Sequence, residues 1–340
     1  MKHKAINVGL IGLGRIGKMH ANNISQKLPF INLKSVIDPA PDLEFIQNLG
    51  PVESYINEND VLYDNNIDAV IIASPTPTHY ELIKKSIKHK KHVFCEKPVS
   101  FSKKEIKEII EISSGCDTLI QIGLNRRFDQ DFIMLKDKIK NGLVGKIHMI
   151  HITNHDASIP KFKFLKSSGG MLFDLCIHDF DMLNFLTAEK IKEIYVNGNV
   201  FIEPRLKEID DIDSAIITLE LESGVLCSID SSRQTHFGYD QRVEVFGSKG
   251  MVSVKNKSEN LSFYSNEKHT MKSKKQYSFI ERYQDSYIKE LEHFYSCVSS
   301  GNKPIAGLEN ILTAIKVSAA GEKSMQTNIL HYQCVAQLLL

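Results

Sequence analysis

The stretch VFCEKPVS, residues 93–100, ends an apolar run of Val93, Phe94 and Cys95 on an acid, a base and a proline. A lysine at such a point, with Glu96 beside it to offset its charge and Pro98 to fix the backbone, is a candidate donor to a reacting oxygen. A solvent-exposed ion pair is the plainer reading. A second stretch, FDLCIHDFD, sets Asp174 and His178 four residues apart, the spacing that shares one helix face. An acid next to an imidazole orients its tautomer and favours proton acceptance, which oxidation of an alcohol requires. A core histidine with a satisfied partner would look the same. A metal site from Asp174, His178 and Asp181 is a third reading, but no further ligand cluster has metal spacing, so no metal is expected.

An oxidation also needs an electron acceptor, and the N-terminus offers a place for one. Gly12, Gly14 and Gly17 form G-x-G-x-x-G directly after the apolar run Ile6 to Ile11 and open a helical pattern. Glycines allow a tight turn and close approach to a pyrophosphate, whose charge sits on the unpaired amides of the helix N-terminus. Alone the motif is weak. Asp38, which ends SVID roughly 20 residues further on, adds the carboxylate that grips a ribose 2′-hydroxyl and repels a 2′-phosphate. The pair points to NAD in preference to NADP. Ligands of doubly wound sheets lie beyond the carboxyl ends of the strands. SPTPTH (74–79) and EKP (96–98) both occupy that edge. The candidate cofactor contacts are therefore Gly12, Gly14, Arg15, Ile16, Gly17, Asp38, Ser74, Pro75, Thr76, His79, Glu96 and Lys97.

The elements that must hold these residues follow from periodicity. Up to Gly123, β-rich runs (INVGLIG, LKSVID, DAVIIAS, HVFCEK, TLIQIG) alternate with amphipathic helical patterns. Strands this apolar, each followed by a helix, describe a parallel sheet covered on both faces, the doubly wound α/β layout. After Gly123 come a helical pattern from Phe128 to Asn141, the strand KIHMIHIT, and the helical stretch containing Asp174 and His178. Strands then follow in succession: IKEIYVNGNVF, AIITLEL, GVLCSIDSS, RVEVFGSKGMVSV and NLSFYS. In AIITLELE, Ile217, Leu219 and Leu221 alternate with Thr218, Glu220 and Glu222, as in an antiparallel sheet with one wet face. The expected division is residues 1–123 for the cofactor and 124–340 for an α+β substrate domain, closed by a helix from Glu281 to Ser299.

Composition bounds the partners. A chain of 340 residues favours two cores. With 42 Lys and Arg against 41 Asp and Glu, no broad field exists to attract nucleic acid or an anionic membrane, and a small-molecule partner is expected. Six cysteines are scattered without CxxC pairs, which fits a reducing, cytoplasmic setting. The basic-then-apolar start is interrupted by four glycines and Arg15 and reads as structure, not as a signal peptide. No apolar run approaches the length of about 18 residues that a membrane span requires.

Taken together, GLGRIG, the Asp38 strand end, ASPTPTH, CEKP, QIGLNRRFD, GGMLFDLCIHDFD and FGYDQRVEVFGSKG resemble the Gfo/Idh/MocA oxidoreductases, from about Ile6 to Gly321. NRRFD and GYDQRVEVFGSKG are similar to the inositol dehydrogenases of that family. The resemblance implies an N-terminal Rossmann domain, NAD as cofactor and a cyclic polyol as substrate. It implies that Lys97 belongs to the catalytic set, that His178 is the general base or acid, and that Asp174 holds substrate and His178. Arg127, Asp156 and Tyr239 would line the polyol pocket with them. It further implies a homo-oligomer, commonly a tetramer. Scyllo-inositol, another inositol isomer or an aldose are alternative substrates. A sensor that binds NAD without turnover is the rival of another class, and it would dispense with Lys97 and His178. Two departures stand out: His155, Asp156 and Ala157 occupy a place where many relatives read Arg-Asp-Pro, and the last eighteen residues, KSMQTNILHYQCVAQLLL, do not resemble the family ending.

Overall fold

The computed structural model describes residues 4–327 and 331–332. The chain forms two compact units: the first runs up to Phe128 and adds Asp285–Thr313, and the second takes Asp129–Gln284 and the chain from Ala314. The division read from the sequence, 1–123 against 124–340, differs in the returning segment. No strand–helix alternation marks that segment. It joins the first unit through long-range bonds, among them Gln121 Nε2 donating to the Glu290 carbonyl at 2.7 Å and the Ile122 amide donating to the Ala306 carbonyl at 2.8 Å.

In the first unit, strands β1 (Ile6–Ile11), β2 (Ile31–Ile37), β3 (Glu53–Tyr55), β4 (Ala69–Ile72), β5 (His92–Glu96) and β6 (Ile120–Gly123) form one sheet in the order β3-β2-β1-β4-β5-β6. Every pairing is parallel, and the order is that of a dinucleotide-binding sheet. β4 is buried along its whole length, as continuous apolar runs in a doubly covered sheet should be. The helices are α1 (Arg15–Lys27), α2 (Leu43–Gln47), α3 (Asn59–Leu62), α4 (His79–Lys88) and α5 (Lys103–Ser113). Two carry side-chain caps that fix their starts, Asp42 accepting from the Phe45 amide and Ser102 from the Glu105 amide. Val8, Leu10, Ile71 and Phe94 are fully buried, and each contributes about 1.5–3 kcal/mol of burial free energy. Edge strand β3 was not expected, because three residues carry too little alternation to be read.

The second unit contains α6 (Gln130–Lys140), β7 (Ile147–His155), α7 (Phe162–Leu165), α8 (Met171–Asp174) and α9 (Ile177–Thr187). It continues with β8 (Ile191–Asn199), β9 (Ser214–Leu221), β10 (Leu226–Ser232), β11 (Asp240–Gly247), β12 (Gly250–Val254), β13 (Phe263–Ser265) and β14 (Thr270–Lys272). α10 (Phe279–Ser300) and α11 (Leu308–Thr327) each span the division between units, and β15 (His331–Tyr332) is a two-residue strand. The main sheet has the order β12-β11-β7-β10-β9-β8-β15 and is antiparallel except for the β7–β10 pair. The alternation expected in β9 is present, with Ala215, Ile217, Leu219 and Leu221 buried and Ile216 and Thr218 exposed. Of the atypical ending, Lys323–Thr327 completes α11 and His331–Tyr332 pairs with β8, while residues 328–330 and 333–340 lie outside the described residues. Among the described residues no helix is long and apolar enough to cross a membrane.

Candidate active site

At the carboxyl edge of the parallel sheet the three glycines have separate duties. Gly12 has φ +99°, and a Cβ there would lie 2.6 Å from the Ser74 amide nitrogen. A Cβ on Gly17 would sit 2.0 Å from the Gly12 carbonyl oxygen. Both are closed by backbone, so only glycine fits. Gly14 is the opposite case: a Cβ there meets nothing within 4 Å. It is the N-cap of α1, with no side-chain hydrogen bond on the cap and no acid in the first turn. Uncapped amides that open onto free space are what a pyrophosphate requires, so these residues fit NAD. Asp38 stands beside this turn. Its carboxylate accepts from the Leu13 amide at 2.7 Å and from the Ala40 amide at 2.9 Å, which holds it at the end of β2. Arg15 is exposed and Ile16 half-buried at the start of α1.

The 74–79 turn and EKP occupy the same edge, after β4 and β5. Ser74 Oγ and Thr78 Oγ1 lie 2.6 Å apart, Pro75 is exposed, and Thr76 is half-buried at the start of a 3-10 turn. His79, a candidate cofactor contact, is buried behind these turns' main chain. It is 1% exposed, and its ring nitrogens face the carbonyls of Pro98 at 2.8 Å and Ser74 at 2.7 Å. Its imidazole ties the 74–79 turn to the EKP turn. Burial pushes its pKa down, and the two carbonyls oppose that shift. Glu96 differs from expectation. It was read as offsetting Lys97, but its Oε1 is 2.8 Å from His20 Nε2, and its Oε2 accepts from the Lys97 amide at 3.3 Å. Lys97 itself is half-buried, and the Lys97–Pro98 peptide is cis.

In the second unit the acid and the histidine lie on two helices rather than one face of a single helix. α8 ends at Asp174 and α9 begins at Ile177. The Cys176 amide reaches back to the Met171 carbonyl at 3.0 Å, and this wide turn breaks the regular ladder between the two. Asp174 is held by a residue the sequence reading missed. Arg233, fully buried after β10, places Nη1 3.1 Å from Asp174 Oδ2 and Nη2 3.6 Å from Asp211 Oδ2. Asp211 Oδ1 in turn accepts from the Met171 amide at 2.8 Å and so binds the start of α8. Burial opposes the Arg233 charge, and Asp174 and Asp211 overcome it, so its pKa is raised. α9, which carries half-buried His178, is pinned to β7 by Asn154 Nδ2 donating to Asp179 Oδ2 at 2.5 Å.

The chain matches known proteins along nearly its whole length. Residues 6–123 match the oxidoreductase family with an NAD-binding Rossmann fold, and residues 132–253 match the GFO/IDH/MocA C-terminal domain. The chain belongs to this family. It is 38% identical over 323 residues to a myo-inositol 2-dehydrogenase of Thermotoga maritima, covering 94% of this chain and 96% of that one. A probable dehydrogenase of Thermotoga maritima superposes with a TM-score of 0.93 at 37% identity, covering 96% and 98%. A scyllo-inositol dehydrogenase of Lactobacillus casei, solved with bound NAD(H) and scyllo-inositol, superposes with a TM-score of 0.90 at 26% identity, covering 97% and 99%. As a GFO/IDH/MocA oxidoreductase the protein is an enzyme with NAD as its cofactor.

The remaining family positions are spread over both units. Arg127, in the first unit, is 5% exposed and donates from Nη1 to the Ile305 carbonyl at 2.8 Å, so it is no surface charge. Asp156, in the second, follows β7, with its amide bonded to the Ser232 carbonyl at 2.9 Å. Tyr239 is 4% exposed and lies edge-on to Tyr283 at 6.0 Å between ring centroids. Among the described residues, Asp174, His178 and Asp181 do not gather as a metal-ligand trio; His20, Glu96 and Glu290 do. His20 was legible in principle. Gly17, His20, Ala21 and Ile24 are the buried side of α1, and their spacing is helical.

Proposed function

We infer that the protein oxidises one ring hydroxyl of an inositol to a ketone, with myo-inositol as substrate and Lys97, Asp174 and His178 as the catalytic set. The observation that carries this reading is Lys97 at the carboxyl edge of a dinucleotide-binding sheet, the edge that also carries the open Gly14 turn and Asp38, in a chain so similar to a myo-inositol 2-dehydrogenase. Bound NAD supplies the hydride acceptor. His178 removes the hydroxyl proton while Lys97 Nζ donates a hydrogen bond to the same oxygen, stabilising the charge that grows there. The carbon-bound hydrogen leaves with its electron pair, and the carbon–oxygen double bond forms as the proton reaches the imidazole. Asp174, held by Arg233, orients substrate and His178. Asp38 accepts from the ribose hydroxyls, and the Gly12–Gly17 turn with Arg15 and Ile16 receives the pyrophosphate. Arg127, Asp156 and Tyr239 read the other ring hydroxyls. Each buried hydroxyl left unpaired costs about 1–3 kcal/mol, enough to sort epimers.

Scyllo-inositol is the second substrate to consider. The departure His155-Asp156-Ala157 begins on the last residue of β7 and changes the loop that would read the ring. A panel of inositols and aldoses tested for NADH formation decides. Highest kcat/KM on myo-inositol supports the reading, and activity confined to an aldose refutes it.

A homo-oligomer, a tetramer by family analogy, fits a face of the second-unit sheet that is exposed among the described residues. Leu226 pairs with Met149, Met149 with Phe246, and Phe246 with Met251, making an apolar row across four adjacent strands. These side chains are 43% to 57% exposed, an arrangement that marks an interaction surface. A cytoplasmic setting fits the five free cysteines among the described residues.

A further inference from the structure

Next to the Lys97 turn, within the first unit, lies a buried polar cluster that the proposed chemistry does not use. Glu290, on α10, is fully buried, and neither of its carboxyl oxygens has a hydrogen-bond partner. His20, on α1, is also fully buried; its Nε2 meets Glu96 Oε1 at 2.8 Å, and its Nδ1 has no partner. One donor or acceptor atom from each of His20, Glu96 and Glu290 lies within 4.8 Å of the others. The space is otherwise walled by Phe94 and Tyr287, whose rings lie 5.3 Å and 6.0 Å from His20, and by Gln121, which donates to the Glu290 main chain. Gly123 leaves room for the inward turn of Glu96, since a Cβ there would lie 3.0 Å from Oε2.

Two carboxyl groups this close in an enclosed, largely apolar space do not both ionise, because desolvation and mutual repulsion penalise the second charge. The Glu290 carboxyl is pushed well above the usual carboxylate range, by burial first and by the Glu96 charge second. A neutral Glu290 is a hydrogen-bond donor, and the Glu96 carboxylate, whose oxygens already meet His20 Nε2 and the Lys97 amide, still has lone pairs to accept it, with one oxygen within 4.8 Å of Glu290. We propose that Glu290 is a positioning residue that shares its proton with Glu96, so that His20, Glu96 and Glu290 form one brace across α1, β5 and α10 that fixes Lys97. The link to Lys97 is direct: Glu96 Oε2 accepts its main-chain amide. The brace joins the helix that receives the pyrophosphate to the strand end that carries the amine. Its kinetic consequence rests on the reading of Lys97 as catalytic, whereas the shared proton does not.

The test has two arms. In infrared difference spectra of full-length protein, the C=O stretch of a protonated carboxyl is present in the unmodified chain and absent from Glu290→Gln. In kinetics, Glu290→Gln, whose amide still donates to Glu96, keeps kcat within about threefold, while Glu290→Leu loses roughly tenfold or more with NAD affinity changed less than about threefold. No protonated-carboxyl band, or unchanged kcat in Glu290→Leu, overturns the proposal. So does one equivalent of metal per chain in the purified protein, since the same trio would then be ligands. If Lys97→Ala turned over normally, the catalytic reading would fail while the infrared band stayed, so the two failures are distinguishable.

Discussion

Replacing Arg233 by Met removes a buried guanidinium and leaves most of its volume. In the folded protein Asp174 Oδ2 and Asp211 Oδ2 lie 3.1 Å and 3.6 Å from its nitrogens, and Arg233 and Asp211 are nearly or wholly enclosed. Deleting one member of a buried ionic group leaves uncompensated charge and costs about 3–5 kcal/mol, against less than about 1 kcal/mol for an exposed pair. With a urea dependence of about 1–3 kcal/mol per molar, the unfolding midpoint of the second unit falls by more than roughly 1 M. Circular dichroism across a urea series reads this, and it measures the fold whether or not Asp174 takes part in turnover. Asp211→Asn keeps an acceptor for the Met171 amide but removes one of the stranded charges. The double variant therefore recovers at least about 1 kcal/mol of the loss, the coupling a double-mutant cycle reports for residues in contact. Arg233→Met with an unchanged midpoint, or strict additivity with Asp211→Asn, would refute this account of how Asp174 is held.

Three further outcomes are expected. Asp38→Ser relieves a repulsion of about 1–4 kcal/mol per unit of phosphate charge at roughly 4 Å, so the ratio of kcat/KM for NADP over NAD rises about 10- to 1000-fold, and an unchanged ratio removes Asp38 from the ribose. Glu290 has a raised pKa in the folded chain, so the folded state holds its proton above the unfolded value near 4.5. Stability therefore falls as pH rises above that value, by at most about 1.4 kcal/mol per unit, until the folded pKa is passed, and Glu290→Gln abolishes this slope in denaturation curves taken from pH 5 to 9. Phe246→Glu, in the exposed apolar row, lowers the assembly mass measured by light scattering with little effect on the urea midpoint; an unaltered mass would place the interface elsewhere.

The parallel sheet was legible because each of its long strands carries its own signal, an apolar run followed by a helical period, and because β2 ends on Asp38. The antiparallel sheet was legible for the same reason, as the alternation along β9 shows. What escaped is what couples distant positions. Arg233 and Asp174 are 59 residues apart, and Gln121 and Glu290 are 169 apart, so no local pattern relates them. Asp174 and His178 were assigned to one helix because spacing cannot reveal the reach of the Cys176 amide to Met171, which ends α8 before α9 starts. Glu96 was paired with its neighbour in sequence, although its carboxylate meets the His20 ring on another element. Periodicity locates elements; the partners of buried charges are set by tertiary packing.

The central claim is hydride transfer from an inositol carbon with Lys97 bonded to the oxygen, and single-turnover NADH formation from myo-inositol deuterated at the oxidised carbon tests it most directly. The account predicts a rate slowed by deuterium in the unmodified protein. It also predicts a roughly 10²- to 10³-fold loss in Lys97→Ala with NAD affinity retained, the size seen when one donor to a developing oxyanion is removed. Near-normal turnover in Lys97→Ala, or no NADH from any inositol, would contradict it.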